Sequence, residues 1–459
     1  MTSPFRVLGF AVGCLLLTGC ASYEARPLDS AAVDQALTPP AWDSVKVAAA
    51  ALKHPLLQPL EIDGRGGYTP DEIAVMVVIV SPQLRALRDQ RGVAEAQVVQ
   101  AGLLPNPQLA LEVDRPDHYI EPVGTQLSAG LTWEITALLS HPAQVAAARA
   151  SAQSLDLSVA WQEWQVAQDS RLRAFRILGL ERQLPLARAV EQQLAQAVEL
   201  FQRAAAAGEK TSVDLTTATD NWTQAQNARF DLENQLTAEK AALNLALGLP
   251  ADQPMPLKPA GAFPAFGSAA TESAAQLLQG LEERRLDLVA LRLGYASQEA
   301  SLRAAVIQQF PKIGLGLVRT RDTSVPPIYT WGPSVAVDVP LFDRNQGQIA
   351  IARASRQQLF DEYVARVAQA RSDVGQILAN LALARQQLQT ADASLPDLER
   401  LARSTALALQ NRDSDLPAYG DATSALARRQ MEQAQLQQKL LELDVALEIA
   451  TGRPLLNRL

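Results

Sequence analysis

Hydrophobic and polar positions along this chain follow two periods in turn. From Asp71 to about Gly102, apolar residues recur at helical spacing, with a break at Ser81-Pro82. GLLPNPQLALEVD (102–114) then changes period, because Leu109, Leu111 and Val113 alternate with Ala110 and Glu112. A polar loop holding Asp114, Pro116, Asp117 and Pro122 follows. TQLSAGLTWEI (125–135) alternates again, placing Leu127, Ala129, Leu131 and Trp133 on one face. A β-hairpin over about 107–135 accounts for both strands. After Pro142 the helical period returns and runs past Pro185 to Gly208, predicting a helix over about 143–207. Roughly 65 residues at about 1.5 Å each reach nearly 100 Å. A second long helix is expected over about 212–247, stopped by Gly248 and Pro250.

The same order then recurs. A helix is expected from about 273 to 308, and Phe310-Pro311 opens the strand KIGLGLVRT (312–320). A Pro- and Thr-containing loop leads to WGPSVAVDVPLF (331–342), giving a second hairpin over about 312–341. Helices are expected over about 346–411 and 417–451, joined by a turn in NRDSDLPAYG (411–420) and ended by TGRP (451–454). GQIAIARASRQQL (347–359) matches AQVAAARASAQSL (143–155) at eight of thirteen positions, 204 residues apart. Gly248 and Gly452, Pro250 and Pro454, and Leu232, Leu236 and Leu243 with Leu436, Leu440 and Leu447 keep that offset. Pro105 and Pro311 are 206 apart. The chain is therefore read as an internal duplication: 71–250 and 273–459, separated by a Pro/Ala/Gly-rich linker (251–272). Residues 20–70, with Pro27, Pro39, Pro40, Pro55 and Pro59, read as an irregular tether and packed-on arm.

Four strands per chain cannot close a barrel, and an open sheet in lipid leaves backbone groups unpaired at several kcal/mol each. Membrane barrels need at least about eight strands. Two chains supply eight, with an interior filled by side chains, and three supply twelve, wide enough for a passage. The fold class is accordingly mainly α with a small β part. Small residues (Ala146–Ala148, Ala204–Ala207, Ala382, Ala384) and leucines four and seven apart suit helices packed as a tube wall.

Composition sharpens this picture. Aromatic residues are 5% of 459, the formal charge is −8 and no dense Lys/Arg run occurs, so nucleic acid is not an expected partner. Both cysteines, Cys14 and Cys20, lie in the first twenty residues. Arg6 precedes the short apolar run Val7–Leu17, which fits a signal peptide over 1–19 rather than a membrane span. Leu17-Thr18-Gly19-Cys20 has the form of a lipoprotein cleavage site, making Cys20 the expected lipidation (palmitate) site. Ordinary signal cleavage beside an incidental cysteine is the alternative. Ala21, where aspartate would argue for inner-membrane retention, favours the outer membrane. His54, His118 and His141 lie far apart, so no metal site, and no cofactor, is expected. Nothing resembles a nucleophile–base pair or a phosphate-cradling glycine loop, so no enzyme is expected.

Beyond the duplicated pattern, several stretches resemble the TolC-like outer-membrane efflux proteins. They are LPNPQLALEV (104–113), GEKTSVDLTTA (208–218), AALNLALGLP (241–250), FPKIGLGL (310–317), GPSVAVDVPLFDRNQGQIAIARA (332–354) and LEIATGRP (447–454). The resemblance implies a homotrimer whose twelve-stranded outer-membrane β-barrel, four strands per chain, continues into a long periplasmic α-helical barrel. It implies the exit duct of a tripartite pump, joined to a periplasmic adaptor and an inner-membrane RND-type transporter. PLFDRNQG (340–347) looks most like the heavy-metal or cation branch. Multidrug efflux and type I protein secretion use the same fold, and a non-conducting coiled-coil lipoprotein is a further alternative. By motif position the resemblance makes Asp421 a channel-gate candidate, with Asp413 and Asp415 on the same rim, while Ala418 stands where a second acidic residue is usual. Gly208, Thr211, Ser212, Val213, Asp214 and Leu215 match the first periplasmic tip, which implies adaptor contact; locally they also read as a helix stop and an N-cap. Trp133, Tyr329 and Trp331 lie near strand ends and suit an interfacial aromatic girdle in outer-membrane lipid. Two stretches depart from the pattern: HPAQ (141–144) replaces a glycine-containing turn, and LPAYGDAT (416–423) is an unusual second tip.

Overall fold

The computed structural model describes residues 21–117, 124–258, 273–411 and 416–453. The chain forms two units divided after Pro40. Cys20, His118, Asp413 and Asp415 lie outside the described residues. In the first unit, residues 21–40 are exposed and hold one helix, α1 (Ser30–Leu37), capped by Asp29, whose carboxylate accepts from the Ala32 N–H at 2.7 Å.

The second unit runs α2 (Trp42–Ala50), α3 (Pro70–Val80), α4 (Pro82–Gly102), β1 (Gln108–Asp114), β2 (Gln126–Glu134), α5 (Ala137–Ala206) and α6 (Ser212–Leu247). It continues with α7 (Ala274–Leu278), α8 (Leu281–Arg284), α9 (Leu286–Ile307), β3 (Lys312–Asp322), β4 (Ile328–Asp338), α10 (Gln346–Gln410) and α11 (Leu416–Thr451). The four strands form one antiparallel sheet in chain order. With 70 residues, α5 is about 105 Å long.

Helix α3, PDEIAVMVVIV, is apolar all round, as a helix enclosed by neighbours must be, and nine of its eleven residues are buried. A capping box fixes its start: Glu72 N–H donates to Thr69 Oγ1, and Thr69 N–H donates to the Glu72 carboxylate at 2.7 Å. Ile73 and Val77 of α3 pack with Ile177 of α5 and Leu243 and Leu247 of α6. In the second repeat Leu277, Leu281 and Leu288 pack with Leu381, Leu440 and Leu447. Ile73, Val77 and Leu84, almost fully buried, stand 204 positions before Leu277, Leu281 and Leu288, so the duplication reaches the packed core.

The two repeats are joined sideways. Buried Arg171 of α5 pairs with Asp71 of α3 and with Glu448 of α11, both at 2.7 Å. Arg176 donates to Glu442 at 2.8 Å, and Gln183 to Gln438 at 3.0 Å. Both repeats end alike. Gly248 and Gly452 adopt φ of +69° and +68°, and a Cβ on either would meet the next helix start at 2.9 Å, Pro82 Cγ or Arg285 Cγ.

Three stretches differ from the periodicity. Residues 21–70 are not irregular throughout, since α1 and α2 lie between the prolines, and Val45 and Ala49 of α2 enter the first core. The helix after β2 begins at Ala137, so His141-Pro142 sits inside α5 and not in a turn. Proline is tolerated there because it removes only one early i−4 bond. The helix expected over 273–308 is broken into α7, α8 and α9, because Gly280 takes φ +67° and Arg285 is extended.

His54 fastens the arm to α5. Its Nε2 bonds the Ala160 carbonyl at 3.0 Å, while Leu56 and Leu57 N–H groups donate to Nδ1 at 3.1 and 3.0 Å. That pattern requires the neutral ring. Burial lowers its pKa below the ordinary 6.5, against the opposing pull of the Ala160 bond and Glu163. The stability this bond set contributes is complete above the unfolded-state value of about 6.5 and is lost as pH falls from there through the lowered folded-state value. Thermal melts of wild type and His54→Asn between pH 7.5 and 5 should show a steeper fall for wild type. Gly452→Ala should lower the melting temperature by a few degrees, since a left-handed non-glycine residue costs about 1–2 kcal/mol before any clash with Arg285.

Candidate functional site

The sheet has two chemically distinct faces, set by strand alternation and fixed by register. On one face Leu109, Leu131, Leu317 and Pro333 stand in a row, with Trp133, Leu315 and Val335 in the next and Ile313 with Val337 beyond. Toward the loops the rows are Leu111, Ala129, Arg319, Trp331 and then Val113, Leu127, Arg321, Tyr329. Leu109, Leu111, Val113, Leu131, Leu317 and Val335 are all at least half exposed in the single chain. The opposite face carries Gln108, Gln126, Ser128, Thr132, Thr320, Thr330 and Ser334, with glycines, alanines, Val318 and Ile328 between them. It also carries the carboxylates of Glu112, Asp114, Glu134, Asp322 and Asp338 and one amine, Lys312, directly opposite Asp338. The apolar and polar faces are those of a wall between lipid and water. β1 and β4 each have a single strand neighbour among the described residues, so both edges present unpaired backbone.

All four long connections into helices lie at one end of the strands, and the loops 115–125 and 323–327 lie at the other. At the helical end, Trp133 Nε1–H donates to the Pro105 carbonyl at 2.7 Å. Ile313 N–H donates to Thr136 Oγ1 at 2.7 Å, continuing the β2–β3 pairing into the first helix. In the second junction Asn345 takes φ +60° ahead of α10, and its Nδ2 donates to the Ala305 carbonyl at 2.8 Å.

The far end of the helices holds the second half of the site. Gly208 takes φ +76° and ends α5, with Glu209 N–H returning to the Ala204 carbonyl at 2.9 Å. Thr211 and Asp214 form a capping box: Asp214 N–H donates to Thr211 Oγ1 at 3.2 Å, and Thr211 N–H donates to Asp214 at 3.0 Å. The Thr211 backbone bond, reinforced by its hydroxyl, holds the Asp214 carboxyl below its ordinary value. Ser212 opens α6, Val213 is exposed and Leu215 is half-buried. Between α5, α6 and the start of α11 lies a cleft of about 280 Å³, lined by Leu194, Phe201, Asp214, Ala218, Tyr419 and Asp421 among others. Two carboxylates from opposite repeats, Asp214 and Asp421, thus share one cleft. Away from the tip, Glu233 of α6 pairs with Arg229 of the same helix at 2.8 Å and with Arg188 of α5 at 3.0 Å.

A family model described as outer membrane efflux protein matches residues 77–249 and 277–453. The chain belongs to the outer membrane efflux protein family. The matched segments coincide with the two repeats that carry the paired strands and the long helices. Among solved structures, a membrane protein from Pseudomonas aeruginosa is similar at 17% identity over 86% of this chain and 95% of that one, TM-score 0.68. The outer membrane protein VceC of Vibrio cholerae is similar at 17% identity over 84% of this chain and 96% of that one, TM-score 0.66. CusC, solved in a study of folding and transmembrane channel formation, is similar at 16% identity over 88% of this chain and 98% of that one, TM-score 0.63. No curated protein matches the chain at the level of sequence. The fold is TolC-like, and the protein is an efflux channel of the outer membrane with a periplasmic extension.

Within that family frame, Trp133 lies at the helical end of the wall and Tyr329 and Trp331 toward the loops, all on the apolar face. The first-tip residues and Asp421 come together, whereas Asp413 and Asp415 lie outside the described residues. The five strand carboxylates were not gathered into one set from sequence; alternation along each of the four strands was the signal that could have put them on one face.

Thr211→Ala should weaken the first turn of α6 about fivefold in its local opening equilibrium, the usual effect of a lost cap. Hydrogen exchange at Asp214 and Leu215 amides checks this. In wild type the same turn should hold at neutral pH and loosen as acid protonates Asp214, because a lowered carboxyl stabilises only above its own titration.

Proposed function

We propose that three copies of the chain close a twelve-stranded barrel and form the exit duct of a tripartite efflux system carrying cations, in keeping with the heavy-metal branch that PLFDRNQG (340–347) resembles. The observation that carries the cation reading is the polar face of the strands. Five carboxylates against one amine per chain would line the passage, and rings of carboxylates favour cations. Closure by three copies pairs every β1 edge with a β4 edge, which removes the unpaired backbone that lipid does not tolerate.

In this reading Cys20 carries the lipid (palmitate) anchor, and Trp133, Tyr329 and Trp331 form the aromatic girdles at the two membrane surfaces. Gly208, Thr211, Ser212, Val213, Asp214 and Leu215 present a pre-ordered turn to a periplasmic adaptor, which links the duct to an inner-membrane RND-type transporter. Asp421, with Asp413 and Asp415, forms the acidic constriction at the periplasmic end. Transport through the duct is passive, the inner-membrane partner supplying the energy. A multidrug or type I protein-secretion duct of the same fold is the alternative.

Planar-bilayer recording of the purified protein tests both parts. Wild type should form cation-selective pores, and Asp421→Ala should raise conductance severalfold and lower cation selectivity. Glu112→Gln with Asp114→Asn should shift the reversal potential toward zero. A protein that never conducts, with or without Asp421→Ala, refutes the duct. An anion-selective pore refutes the cation reading and favours the alternative.

A further inference from the structure

The apolar face of the sheet is interrupted in one place. Arg319 and Arg321 of β3 stand on it, opposite Trp331 and Tyr329 of β4 and Ala129 and Leu127 of β2. They occupy the two register rows nearest the loops. Both arginines are exposed, and Trp331 is 78% exposed beside them. The Arg321 guanidinium lies 5.7 Å from the centre of the Tyr329 ring. Every other strand residue on this face is apolar or aromatic, and all five strand carboxylates stand on the opposite face. No carboxylate within the face therefore offsets the two charges.

Depth decides what such a pair does. An arginine on the lipid side of a barrel is costly at the bilayer midplane and nearly free at the interface. These two lie at the loop end, flanked by the residue types that settle at headgroup level. Alternate residues on a strand are about 6.7 Å apart, so the guanidiniums form a short basic column. Ala129, the smallest neighbour, leaves room beside Arg319. The guanidinium fork binds phosphate oxygens two at a time, and a neighbouring ring holds it in place.

We propose that Arg319 and Arg321, flanked by Trp331 and Tyr329, dock the phosphate of an anionic lipid headgroup in the outer leaflet. The site lies on the outside of the wall, away from the passage and from the helical tips, and each copy of the chain carries one. The inference rests on the reading of the sheet as part of a closed barrel in the outer membrane.

The test uses the full-length protein reconstituted in vesicles of neutral phospholipid doped with diphosphorylated lipid A or with the same lipid enzymatically stripped of phosphate. Lipid retained on the repurified protein is counted by native mass spectrometry. Wild type should retain the phosphorylated form and not the stripped one. Arg319→Gln/Arg321→Gln should lose retention about thirtyfold, since each basic residue near an anionic surface contributes roughly a factor of five. Arg319→Lys/Arg321→Lys should keep much of it. Equal retention of both lipids by wild type, or undiminished retention by the Gln variant, overturns the proposal. Displacement by millimolar inorganic phosphate shows a general anion site and overturns the lipid assignment. If the Gln variant does not insert, wild type against stripped lipid, with the Lys variant, still decides. Failure of the barrel reading itself is distinct, because a Cys20→Ser form, which lacks the lipid anchor, would then not float with the vesicles at all.

Discussion

The unpaired backbone along the two edges of the sheet governs most of this structure. A strand edge in water is a liability, and one in lipid is far worse, because no solvent can satisfy its N–H and C=O groups. The described residues supply four strands with an apolar face and a polar face. The wall is therefore one third of a twelve-stranded surface or one half of an eight-stranded one, and only the wider of these leaves a passage. The strand order follows from the same limit. Each repeat contributes one hairpin, and the β2–β3 pairing joins the two hairpins without a crossover, so the free edges fall on the first and last strands, β1 and β4.

Below the wall the architecture trades lipid for water, and the binding forces change accordingly. The two compact cores sit where α3 in one repeat, and α7 with α8 in the other, fill the space between long helices. Cross-repeat ties from Arg171, Arg176 and Gln183 to α11 lie at this level. Arg171 is held by two carboxylates, Asp71 and Glu448, so the buried cation keeps an ion partner if either one is lost. The first tip is ordered by local chemistry, the left-handed Gly208 and the Thr211–Asp214 capping box, and so can be shaped for contact without disturbing the wall.

Much of this was legible in the chain because it repeats. The 204-residue offset identified the two halves, and strict alternation at Leu109, Leu111 and Val113 identified a strand with one apolar face. Register was not legible, since nothing in sequence says that Glu112 lies beside Ser128 or Arg319 beside Trp331. The cleft shared by Asp214 and Asp421 was equally hidden. It brings together residues about two hundred positions apart, from the far ends of long helices in opposite repeats. Proline content misled at the N-terminal arm, where α2 forms between Pro40 and Pro55 and buries Val45 and Ala49. It misled again at Pro142, which is early enough in α5 to be carried by the helix. Gly280 had the opposite effect, cutting one expected helix into short pieces that fill the place of α3.

The two strand-to-helix junctions are unlike. After β2 the chain enters α5 within two residues, and hydrogen bonds from Ile135 and to Thr136 weld that joint to β3. After β4 it passes through seven residues and a left-handed Asn345, anchored by a single side-chain bond to Ala305. One joint is tied across the sheet by two hydrogen bonds and the other to a neighbouring helix by one. In any closed ring of these chains the two kinds of joint alternate around the rim, so every second passage from strand to helix is the less constrained one.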